Sequence, residues 1–370
     1  MTSPVSSRRY ETLDGLRGVA ALAVMLFHYT VYDGSPLFFN VDLAVDFFFM
    51  LSGFVLCHAY GARLQQGMTY GTYVLRRVIR LQPLLVLGLL LGTPVLYILI
   101  HHQLASGDHA FVLGSFVHNM VFLPFFNDQS IFNMGETTPT IGIAFPSNPP
   151  LWSLCFEMFV GLMLPFFLRL KPGALFRFIL IVFFALIVRG VIDSAQHDRL
   201  AIDLSGGWGT YNFLGGVLRV LYGFTAGVWM YAVFQKTSPY VARLSFLMKP
   251  WVLYLVLLLM LAFPMTVRGI YTSLGLFVVS PILLCLGAHT VCHGNFSRKM
   301  AGFLGWLSYP LYCLHYPVGR AVFFWGEAAG IDRITSTLIA VSLALFLAII
   351  VTRLLEEPVR RRLSHQLLTK

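Results

Sequence analysis

The sequence predicts an all-α fold: a polytopic integral membrane protein with about ten transmembrane helices and both termini cytoplasmic. Three observations carry that expectation. The chain of 370 residues is 57% hydrophobic and only 11% charged, whereas soluble domains carry about 25% charged residues. Apolar runs of about 17–25 residues recur along it, the length a helix needs to cross the ~30 Å hydrocarbon core. Lys and Arg collect on alternate connecting segments, as they do on cytoplasmic loops. The net charge of +10 is therefore read as topology, and no nucleic-acid partner is expected. The expected location is the cell inner (plasma) membrane, multi-pass, with membrane lipid as the surrounding partner.

The spans are read at about 16–32, 41–60, 81–100, 151–169, 175–192, 213–234, 250–267, 270–292, 302–326 and 334–353. Residues 1–12 are polar, and the first apolar run opens near Leu16 without a convincing cleavage site, so it is expected to stay as the first span. The stretch 111–126 is short and interrupted by His118, Asn119 and Pro124. It is expected to be re-entrant or interfacial, for a charge reason. With ten spans, segments 1–15, 61–80, 170–174, 235–249, 293–301 and 354–370 share one side and hold Arg76, Arg77, Arg80, Lys249 and Arg298 among others. Loops 33–40, 101–150 and 327–333 carry only Arg333. A full span at 111–126 would invert everything after it and place the basic loops outside. The longest external loop, 127–150, contains Asp128 and Glu136 and no Lys or Arg. The whole chain, 1–370, reads as a single membrane domain without internal repeat. The five cysteines lie in apolar segments at spacings that fit neither a metal site nor a disulfide framework. No metal is expected.

Ionisable side chains deep inside apolar runs are the functional signal. Each charge at mid-membrane costs about 2.5–3.5 kcal/mol on insertion scales, so Asp46, Glu157 and Arg219 together would cost roughly 8–10 kcal/mol facing lipid. They are expected to face inward, toward one another or toward water. Arg17 and His28 are eleven residues apart, close to three helical turns, and share a face about 16 Å apart along the axis. Asp42 and Asp46, at i, i+4, also share a face. Asp46 is suited to orient a histidine such as His28, the usual role of a carboxylate behind an imidazole base. Ser52 and Gly53 follow near mid-span. Arg76, Arg77 and Arg80 converge at the cytoplasmic entrance, and guanidinium forks match phosphate oxygens; a plain positive-inside loop is the alternative. Ser153 and Glu157 share a face of the fourth span. Glu157 has no local cation, so its partner must come from another span, Arg219 being one candidate. Ser308, Tyr312 and His315 fall on one face at i, i+4, i+7, in a span bent by Pro310 and Pro317. His315 either lines a cavity or packs helices. Arginines at the inner mouth and carboxylates and imidazoles further out suit an anionic ligand entering from the cytoplasm.

These residues sit in motifs that resemble the membrane-bound acyltransferase 3 family. The resemblance rests on Tyr10 to Gly18 (YETLDGLRG) running on to His28, an Arg-x10-His spacing. It continues in Val45 to Phe54 (VDFFFMLSGF), Arg77-x-x-Arg80, Trp152 to Phe159 (WSLCFEMF), Ser308 to His315 (SYPLYCLH) and Glu357-Pro358. The resemblance implies transfer of an acyl group, usually acetyl, from cytosolic acyl-CoA to a hydroxyl of a glycan or a lipid-linked saccharide. It implies no permanently bound cofactor, acyl-CoA being a co-substrate. Arg17, Arg77 and Arg80 would hold the CoA phosphates. His28, oriented by Asp46 or Glu157, would act as the base, and a transient acyl-enzyme is an open variant. Ser52, Ser153, Arg219, Ser308, Tyr312 and His315 would line the cavity. Family members often carry an SGNH esterase-like domain after the last span, and the expectation is that this chain, ending at Lys370, lacks it. A multi-span transporter using the same intramembrane charges, or a scaffold with a degenerate site, are the rival readings.

Overall fold

The computed structural model describes residues 9–31, 36–129, 142–196, 202, 204–244, 248–264 and 268–368. Much of the loop 127–150, including Glu136, lies outside the described residues. Helix occupies each of the ten apolar segments. The first are α1 (Glu11–Thr30), α2 (Asp42–Gln65), α3 (Tyr70–His101) and the short α4 (His109–Met120). A 3-10 turn at Pro149–Leu151 leads into α5 (Trp152–Leu162), followed by α6 (Leu164–Phe167), α7 (Pro172–Gln196), α8 (Phe213–Ala242) and α9 (Pro250–Ala262). A π-helical turn at Gly275–Val279 joins α10 (Arg268–Leu274) to α11 (Ser280–His289). The chain ends with α12 (Asn295–Ala328), α13 (Arg333–Val351), a second π turn at Thr352–Glu356 and α14 (Glu357–Leu368). Among the described residues there is no strand, only an isolated bridge between Ile143 and Gly209.

Among the described residues, six helical stretches are long and apolar enough to cross a membrane: Asp42–Gln65, Tyr70–His101, Pro172–Gln196, Phe213–Phe234, Gly269–His289 and Arg333–Leu368. The 12 residues of α4 rise only about 18 Å, well short of the hydrocarbon core. Over 151–169 the helix is not continuous. It breaks at Met163 because Pro165, in the first turn of α6, has no N–H for the carbonyl of Gly161. That carbonyl is taken instead by the Tyr73 hydroxyl at 2.6 Å. The same compensation recurs in α12. Pro317 frees the carbonyl of Cys313, and Asn148 Nδ2 donates to it at 2.8 Å. A freed carbonyl inside a membrane protein needs such a partner.

Two helix pairs build the frame of the site. Asp14 meets Gly305, Arg17 meets Ser308, His28 meets His315 and Tyr29 meets Gly319, so α1 and α12 run parallel along their length. Asp46 meets Arg219, Gly53 meets Phe224 and Phe54 meets Tyr231, so α2 and α8 are parallel too. The approach is close. A Cβ on Gly53 would run into the carbonyl of Phe224, which is why a glycine sits at that crossing. The apolar core runs through both pairs and continues onto α3 and α5, with Leu16, Phe47, Phe54, Leu84, Phe156 and Phe224 among its buried members.

Candidate active site

A cavity of about 320 Å³ lies among α1, α2, α3, α5 and α12. Its wall mixes apolar groups, Phe48, Phe49, Leu51 and Val55, with three arginines, one carboxylate and several hydroxyls. The arginines are Arg17, Arg77 and Arg80, the carboxylate is Glu157, and the hydroxyls are those of Ser52, Tyr60, Ser153, Ser308, Tyr309 and Tyr312.

Each arginine is held differently. Arg17 donates from Nε to Ser308 Oγ at 2.9 Å and from Nη2 to the Gly305 carbonyl at 2.7 Å, with Asp14 3.4 Å away. Arg77 is only 4% exposed, and its Nη2 donates to Glu157 Oε1 at 3.0 Å. Ser52 Oγ donates to the same oxygen at 3.1 Å. Arg77 Nε is buried and has no hydrogen-bond partner among the described residues. Arg80 donates to Glu356 Oε1 at 2.7 Å, and its guanidinium lies 5.5 Å from the Tyr309 ring centroid. Arg360 reaches the same Glu356 oxygen at 2.7 Å. Ser153 Oγ and the Tyr312 hydroxyl are 2.6 Å apart, and both lie within hydrogen-bond reach of the Pro150 carbonyl.

Arg219 forms a separate group. It is fully buried and donates from Nε to Asp46 Oδ1 at 2.8 Å. Its other nitrogens reach the carbonyls of Gly206 at 2.6 Å and Asp42 at 2.9 Å, and its guanidinium sits 5.5 Å from the Trp152 ring. This buried pair ties α2, α8 and the loop before α8 together.

The two histidines form a third group at the α1–α12 contact. His28 Nδ1 is 2.8 Å from the Val24 carbonyl and 3.3 Å from His315 Nε2. His315 is fully buried, and its ring lies 5.9 Å from that of Tyr312. A ladder along one face of α12 thus runs from Ser308 and Tyr312 in the cavity wall to His315, and from there to His28.

Of the residues singled out in the sequence, Arg17, Ser52, Arg77, Arg80, Ser153, Glu157, Ser308 and Tyr312 line the cavity. His28, Asp46, Arg219 and His315 do not. The expected contact of Asp46 or Glu157 with His28 is not made, because each carboxylate is taken by an arginine: Asp46 by Arg219, Glu157 by Arg77. The Glu157–Arg219 pairing is likewise replaced by these two pairs. Arg77, read as one of an entrance trio, is instead the buried counter-ion of Glu157. Glu356 carries no strong signal in the sequence because it closes an apolar run beside the Glu357-Pro358 motif. Its signal was a carboxylate one helical turn before Arg360.

The chain matches known proteins as follows. Residues 10–353 match the acyltransferase 3 family, described as an acyltransferase domain. Over 170 residues the chain is 37% identical to a protein of Rhizobium radiobacter named "Protein 2 in picA locus", an alignment covering 41% of this chain and 79% of that protein. No solved structure matches. The family match spans all the cavity helices, from Tyr10 in front of α1 through α12, and the chain belongs to the acyltransferase 3 family.

Proposed function

We propose that this protein is an O-acyltransferase of the inner (plasma) membrane. It moves an acyl group, acetyl in the first instance, from cytosolic acyl-CoA to a hydroxyl of a cell-surface or exported glycan or of a lipid-linked saccharide. The observation that carries the reading is the cavity. Its volume, about 320 Å³, is within the range of small-molecule sites, which are mostly apolar with a few convergent polar groups. Guanidinium groups in the lining suit a ligand rich in phosphate. Arg17 and Arg80 are each about one-third exposed and able to meet phosphate, while Arg77 holds Glu157 in place. The apolar stretch Phe48 to Val55 suits the pantetheine arm and a short acyl chain.

The chemistry is then carried by His28. Its imidazole takes the proton of the acceptor hydroxyl while the oxygen attacks the thioester carbonyl. The C–S bond breaks, and the CoA sulfur leaves with the proton returned from the imidazolium. Such general-base help is worth about 10²–10⁴-fold. His28 lies outside the cavity wall, so the acyl end of the donor is taken to pass from the cavity alongside Tyr312 until the thioester carbonyl meets the acceptor hydroxyl at the imidazole. Both termini are taken as cytoplasmic with ten crossings. The parallel pairs α1–α12 and α2–α8 fit that alternation, as does the antiparallel meeting of α3 with α5 through Arg77–Glu157 and Tyr73–Gly161.

The test is transfer of label from [14C]acetyl-CoA into base-labile ester in isolated membranes that retain their envelope glycans. His28→Ala at normal protein level is expected to lower the rate at least ~10²-fold. An unchanged rate would remove His28 from the reaction. Saturable acetyl-CoA binding to purified protein separates this reading from that of a transporter.

A further inference from the structure

The two carboxylates best suited by sequence to stand behind the base are both occupied elsewhere, and a second imidazole stands there instead. We infer that His315 is a positioning residue for His28, a reading that rests on His28 as the base. The argument is one of tautomers. A carbonyl oxygen only accepts, so an imidazole nitrogen within hydrogen-bond distance of one must carry the proton. His28 Nδ1 lies 2.8 Å from the Val24 carbonyl and His315 Nδ1 lies 3.1 Å from that of Leu311. Both rings are therefore protonated at Nδ1. His315 Nε2 is then a lone pair, and it faces the His28 Nδ1–H at 3.3 Å. What remains on His28 is Nε2, also a lone pair, with no hydrogen-bond partner among the described residues. This is the nitrogen a base needs free.

His315 is well fixed for this task. Its ring is fully buried and flanked by those of Tyr312 and Tyr29, and its own carbonyl accepts from the Tyr29 hydroxyl at 2.7 Å. Gly319 lets the Tyr29 ring lie flush against α12; a Cβ there would strike it. The arrangement is a base backed by two neutral acceptors, the Val24 carbonyl and His315 Nε2. When His28 gains its second proton, both acceptors meet the more acidic Nδ1–H. The charge thus appears where hydrogen bonds already wait for it.

The experiment uses the full chain. In the [14C]acetyl-CoA membrane assay, His315→Phe keeps a ring but removes the acceptor, whereas His315→Gln keeps an acceptor oxygen. His315→Phe is expected to lower kcat about 10–100-fold, the range seen when the partner orienting a metal-ligating imidazole is lost. KM for acetyl-CoA should stay unchanged, because His315 does not line the acyl-CoA cavity. His315→Gln should recover most of the loss. In parallel, 15N-histidine NMR of the purified protein, with His28→Asn for assignment, should show His28 protonated at Nδ1 and bare at Nε2. Wild-type kcat in His315→Phe, or a wild-type His28 protonated at Nε2, would overturn the inference. Should His315→Phe fail to elute as folded protein, a His315→Gln variant as inactive as His28→Ala would also overturn it. Failure of the base reading is distinct: it would show as full activity in His28→Ala, whatever the His28 tautomer.

Discussion

Arg77 and Arg80 stand one helical turn apart and differ in what surrounds them. Arg77 is 4% exposed and spends its charge on Glu157. Arg80 is about one-third exposed and shares Glu356 with Arg360. Breaking a buried ion pair leaves the other charge uncompensated, at about 3–5 kcal/mol. Glu157 keeps some exposure in the cavity, which places Arg77→Ala toward the lower end of that range. A clear drop in the thermal midpoint of the purified protein in detergent should result. Arg80→Ala should leave that midpoint nearly unmoved and weaken acetyl-CoA binding about tenfold or more, as expected for losing one charge-assisted hydrogen bond. Calorimetric titration beside a melting curve separates the two; equal behaviour of the variants would contradict the assignment.

At the scale of the helix, proline decides where the backbone opens and a distant side chain closes it. Pro317 costs α12 one hydrogen bond, and Asn148, before α5, supplies the donor that Cys313 lacks. Asn148→Ala should leave that buried carbonyl unsatisfied and destabilise the protein by about 1–3 kcal/mol. Adding Pro317→Ala to it restores a backbone N–H for Cys313 and should return part of the loss. A double-mutant cycle on thermal stability checks this, and purely additive effects would show that Asn148 acts in some other way. The break at Met163 follows the same logic, with Tyr73 in place of Asn148.

At the scale of the molecule, the helix directions make a statement about sides. If α2 and α3 are joined on the inner face and α12 and α13 on the outer, the exposed positions Gln66 and Ala329 lie on opposite sides of the membrane. Single cysteines placed there, Gln66→Cys and Ala329→Cys, should react with a membrane-impermeant maleimide from opposite faces of oriented vesicles. Labelling of both from one face would overturn the ten-crossing arrangement. Contacts between parallel helices, the half-buried Arg17 with Ser308 and the buried Asp46 with Arg219, fix the relative helix directions on which this prediction rests.

Helix positions, the Arg17–His28 face and the Ser308–Tyr312–His315 ladder were legible in the sequence because each depends on a local period of 3.6 residues. So was the principle that intramembrane charges must find partners. Which partner each found was not legible. Asp46 and Arg219 are 173 residues apart and Arg77 and Glu157 are 80 apart, and no local rule ranks Arg77 against Arg219 for Glu157, or His28 against Arg219 for Asp46. Helix packing made that choice, through glycine contacts such as Gly53 on Phe224 that set which turns of which helices meet. The same packing withdrew both carboxylates from His28 and brought His315 to it, because α1 and α12 run parallel and in contact. Local chemistry determined which residues had to be buried together; three-dimensional packing decided the pairs.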